Sequence, residues 1–103
     1  MHVREKLEKL VYEYFINDFP DEVAKDKAKT TAVEIISLMQ DIEHEIITKD
    51  LQSLTRSVHT LKHLLLYADL DELSDMCQDL ESDIRIGEIN IPLKEEIFKE
   101  IVK

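Results

Sequence analysis

With 103 residues, 44% of them hydrophobic, the chain has material for one buried core and one domain, 1–103. A formal charge of −10, from 13 basic against 23 acidic residues, disfavours nonspecific binding to nucleic acid or to an anionic membrane surface. One Gly, two Pro and no Trp leave too few turn residues for a many-stranded β fold, and no run approaches the roughly 18 apolar residues of a membrane span, so the class is all-α.

Residues 3–16 set Val3, Leu7, Leu10, Val11, Tyr14 and Phe15 at spacings of three and four, a short amphipathic helix ending near Asn17. Pro20 disfavours helix at Phe19, so Asp18-Phe19-Pro20-Asp21 is a break. A second helix runs from about Asp21 to Thr48 on the seam Ala28, Ala32, Ile35, Met39, Ile42 and Ile46. Asp50 is a natural N-cap for a third, whose seam is Leu51, Leu54, Val58, Leu61, Leu65 and Ala68. Asp69 or Asp71 opens a fourth, with Leu70, Leu73, Cys77, Leu80 and Ile84 on one side and an end before Gly87. Pro92 suits a first helical position, and Leu93, Ile97, Ile101 and Val102 predict a fifth helix to the C-terminus. Four such seams with short connections predict an antiparallel up-down four-helix bundle, with the short N-terminal helix as an extra cap.

The third helix carries the chemistry. From Leu51 to Ala68 there is no acidic residue, which leaves a neutral-to-positive strip on an acidic body. At about 100° per residue, His59 points roughly 140° away from the mean direction of the seam. It should face solvent, with Gln52, Thr55, Arg56, His63 and Leu66 on the same outer face and Lys62 at its border. A neutral imidazole attacks phosphorus readily, and the phosphoramidate it forms can pass the group on. Lys62 at i+3 and Arg56 at i−3 are placed to offset charge on the phosphoryl oxygens.

His59-x-Leu61-Lys62, followed by Leu73, Cys77, Leu80 and Glu81, resembles the histidine phosphotransfer (HPt) domain, with its H-x-L-K-G signature and later L-x-x-x-C-x-x-L-E run. Tyr14-Phe15-Ile16-Asn17-Asp18-Phe19-Pro20 and Asp50-Leu51-x-x-Leu54 resemble the opening and the lead-in of such domains, so the likeness covers about residues 10–84. The resemblance implies a four-helix bundle that accepts a phosphoryl group on His59 from a kinase or a receiver aspartate and returns it to another receiver. It implies that Lys62 contacts the phosphate and that Glu81 hydrogen-bonds the imidazole ring, fixing its tautomer. His63 stands where the signature has glycine: it could hinder receiver docking or add a second donor to phosphate. The glycine-containing loop common in relatives is replaced by Ala68-Asp69-Leu70.

Other chemistries find less support. His59 and His63 have the i, i+4 spacing of a zinc-ligand pair, but no third ligand has a visible place, because Cys77 lies in a seam. There is no Gly-rich phosphate loop and no nucleophile elbow, so a turnover enzyme is not expected. The remaining rival is a bundle that docks receivers or kinases without carrying phosphate, with His63 as the cause and Leu66 and Tyr67 in the contact. The expectation is a free-standing, monomeric phosphorelay intermediate. It needs no cofactor or metal of its own, and its partners are a receiver domain, a histidine kinase or both. A lone cysteine and the charged Arg4, Glu5 and Lys6 near the N-terminus point to a cytoplasmic location.

Overall fold

The computed structural model describes residues 3–86 and residue 99; the expected fifth helix, residues 92–102, lies outside them apart from that one position. Four helices occupy the described residues: α1, Val3–Phe15; α2, Asp21–Thr48; α3, Leu51–Tyr67; and α4, Asp71–Ile86. Each packs on the next, α1 on α2, α2 on α3 and α3 on α4, as short connections between amphipathic helices require. The 28 residues of α2 rise about 42 Å at 1.5 Å each, which accounts for the 44 Å longest dimension.

The junctions form where the sequence places its breaks. Pro20 occupies the N-cap of α2, and its carbonyl accepts the Ala24 N–H at 2.8 Å. Lys49 closes α2 in the left-handed conformation, φ 58°, with its N–H directed to the Glu45 and Ile46 carbonyls. Asp50 caps α3 as expected, its carboxylate accepting the Ser53 N–H at 3.3 Å. Of the two possible starts for the fourth helix, Asp71 is the one used, after Asp69 turns the chain at φ 61°.

The seams become the core. Leu54, Val58, Leu61 and Leu65 of α3 are fully buried against Ala32, Ile35, Met39 and Ile42 of α2 and Leu73, Cys77 and Leu80 of α4. Leu51, the first residue of α3, stays 46% exposed, and Leu10 likewise faces outward, so these two seam residues do not join the core. Ala24 and Thr31 join the buried face of α2, widening it beyond the expected seam. The N-terminal helix does more than cap. Its Leu7 enters the main core, while Val11 and Phe15 form a second cluster with Ala24, Ala28 and Ala68, closed by Phe19 and by the Tyr67 ring 5.4 Å from that of Phe15. Cys77 is core, and burial pushes its thiol up to about 12, so it is unreactive near neutral pH. Among the described residues, no helix is long and apolar enough to cross a membrane.

Candidate functional site

Because Val58, Leu61 and Leu65 anchor one side of α3 in the core, the residues between them are forced outward at fixed angles. His59 sits in the middle of the helix with its side chain 56% exposed. Lys62 lies at the border, 16% exposed, where its stem packs and its ammonium reaches α4. On α4, Leu80 is buried, so its neighbour Glu81 is set at the rim and leans towards α3 at 14% exposure. The carbonyl of Lys62 also accepts the hydroxyl of the buried Ser74 at 3.2 Å, a second tie between α3 and α4.

Glu81 joins the pieces. One carboxylate oxygen, Oε1, stands 3.3 Å from Nδ1 of His59 and 3.2 Å from Nζ of Lys62, while Oε2 accepts from the same ammonium at 3.4 Å. A carboxylate accepts hydrogen bonds, so the geometry calls for a proton on Nδ1 of His59 and leaves the lone pair of the neutral ring on Nε2. That nitrogen faces Nε2 of His63 at 3.0 Å. His59, Lys62, Glu81 and His63 are thus one contiguous cluster. Arg56 and Leu66 are exposed on the same helix, and among the described residues neither shares a hydrogen bond or ion pair with His59.

The strip free of acid in the sequence is not free of acid in space. Glu81 enters it from α4, and Glu45 enters from α2, where it is nearly buried and accepts the Ser57 hydroxyl at 2.6 and 3.1 Å. Neither Glu45–Ser57 nor the Ser74 contact is apparent from residue spacing, since both join helices whose relative register the seams leave open. The contact between His59 and His63 has a visible signal, the i, i+4 spacing. Among the described residues, no group of three or more His, Cys, Asp or Glu is arranged to hold a metal ion. What the cluster presents is an exposed imidazole backed by a carboxylate and a cation.

A protein-family model described as the Hpt domain matches residues 12–101. Comparison with curated proteins and with solved structures finds no match.

Proposed function

The chain belongs to the Hpt domain family, the histidine phosphotransfer modules of two-component systems, and on that premise we propose that His59 is the residue that accepts and returns the phosphoryl group. Hpt domains act as carriers and interact with receiver domains and kinases. The observation that supports His59 is the carboxylate of Glu81 at its Nδ1, 3.3 Å away, with Lys62 on the same carboxylate. Glu81 orients the ring and faces the positive charge that develops when Nε2 is phosphorylated. Lys62, within a turn of the acceptor, redistributes its ammonium between Glu81 and the phosphoryl oxygens. The receiver brings its own aspartate and magnesium, so this domain needs only an oriented nucleophile and a cation, with no cofactor. Arg56 and Leu66 belong to the docking face. We take the chain as one cytoplasmic domain.

The test is acid-labile, base-stable label after incubation with a phosphorylated receiver or a kinase. His59→Gln should abolish it and His63→Gln should keep it; label that follows His63 instead moves the acceptor by one turn. A second reading has its own observation: His63 Nε2 lies 3.0 Å from the nitrogen that must attack, where an incoming phosphorus would stand. On that reading the chain docks receivers or kinases without taking phosphate, and the same experiment returns bound receiver with no label on the wild type.

A further inference from the structure

The rings of His59 and His63 meet edge to face, their centroids 4.4 Å apart and their planes at 79°, with 3.0 Å between the two Nε2 atoms. Two nitrogens at that distance share a single proton, since two N–H groups would collide and two lone pairs would repel. Glu81 decides which ring supplies it. With the His59 ring neutral, its Nδ1–H donates to the Glu81 carboxylate, so the bridging proton belongs to Nε2 of His63, and the chain of donors runs from His63 to His59 to Glu81. Among the described residues, the charged group in contact with the pair is Glu81 of α4, itself held by Lys62 of α3, while Glu45 of α2 is held by Ser57.

We infer that His63 is a positioning residue for the acceptor: it donates its Nε2 proton to Nε2 of His59 in the resting chain and, once phosphate is attached there, donates the same proton to a phosphoryl oxygen. This rests on His59 being the acceptor. In the transfer, the His59 Nε2 lone pair forms the N–P bond as the bond from phosphorus to the donor atom breaks, and the electron pair leaves with the donor. His63 keeps its proton throughout, and the positive charge left on the His59 ring lies against Glu81. The His63 ring is exposed, so it can turn aside and turn back without disturbing the core. Its two hydrogen bonds work in opposite directions: the first must be broken before phosphate enters, and the second stabilises the phosphorylated ring.

The experiment uses the full chain labelled with 15N, phosphoramidate as a small phosphoryl donor, and the variants His63→Gly and His63→Gln. In the wild type, imidazole 15N shifts should show His59 protonated on Nδ1 with a hydrogen-bonded Nε2. His63→Gly should shift that Nε2 to the value of a free lone pair, speed labelling and shorten the half-life of the label, each by about 3- to 10-fold. His63→Gln, whose amide can still donate, should stay near wild type in all three. A His59 ring protonated on Nε2, or a His63→Gly variant with unchanged shifts, labelling rate and half-life, overturns the inference. If no variant takes label, it is the acceptor role of His59 that fails; the resting hydrogen bond is still decided by the 15N shifts, and the inference falls with an Nε2-protonated His59.

Discussion

Lys62 sits between two demands. At rest its ammonium lies 3.2 and 3.4 Å from the two oxygens of Glu81, the same carboxylate that holds the His59 ring. Both partners are mostly covered, so the pair is screened less than an exposed one. Removing the cation would strand a half-buried carboxylate beside the proposed acceptor and take away the charge proposed to meet the phosphoryl oxygens. Hydrogen bonds to charged groups are worth about 1.5–3 kcal/mol, so Lys62→Met should slow phosphorylation of His59 by about 10- to 100-fold, and Lys62→Arg should recover part of the loss. Initial rates of labelling, with far-UV circular dichroism to check the helices, measure this; a Lys62→Met rate equal to wild type would remove Lys62 from the chemistry. At this scale the sequence is informative where one helix suffices. The outward direction of His59 and the border position of Lys62 follow from the α3 seam alone. The partnership with Glu81 spans two helices, and spacing alone makes Glu81 only a flanking residue able to reach across; the family resemblance supplies the pairing with His59. The i, i+4 spacing brings His63 within reach of His59, but the edge-to-face approach that sets the two Nε2 atoms together depends on side-chain rotamers, which no periodicity encodes.

At the scale of elements, the breaks between helices are set by residues that carry a conformational cost. Lys49 ends α2 at φ 58° and Asp69 turns α3 into α4 at φ 61°, two side chains in the region where glycine is at ease. The missing glycine of the loop after α3 has a direct counterpart here: the left-handed turn is still made, at Asp69. A left-handed L-residue costs roughly 1–2 kcal/mol, and the larger unfolded-state entropy of glycine offsets about half of what its substitution would relieve. Lys49→Gly and Asp69→Gly should therefore each stabilise the fold by about 0.5–1 kcal/mol, the lysine change less because it removes a cation from a helix C-terminus. Urea midpoints with unchanged slopes would measure the gain, and a loss of stability in both variants would mean that the side chains, not the backbone, hold these turns. Four of the predicted helices are legible because apolar residues at threes and fours, an Asp cap and a Pro break agree with one another. The path of α1 is less so: its seam shows which side is buried but not how far along α2 it lies, and the burial of Leu7 in the main core shows that it lies alongside rather than only across one end.

For the whole molecule the governing quantity is the charge of −10. The sequence suggests a neutral-to-positive strip on an acidic body, and the packing reduces that contrast, since Glu81 and Glu45 come into α3 from the helices on either side. Exposed pairs within one helix, Arg4–Glu8 and Lys25–Asp21, contribute little, so the fold carries its net repulsion largely uncompensated. The range of that repulsion relative to the size of the molecule sets the response to salt. The screening length is about 30 Å at 0.01 M salt and about 8 Å at 0.15 M, on either side of the 13.9 Å radius of gyration. Charges across the folded body therefore repel at low salt and are screened at physiological salt, whereas the more expanded unfolded chain gains less from the same change. Thermal unfolding between these two conditions should move up by about 4–8 °C, the shift that roughly 1 kcal/mol produces in a domain of this size. Sodium chloride below roughly 0.2 M, compared with sucrose at equal osmolality, would separate screening from solute exclusion, for which such solutions are too dilute. A midpoint that stays flat or falls would mean that attractive pairs such as Lys62–Glu81 outweigh the net charge, and the acidic surface would then have to be explained by its partners rather than endured by the fold.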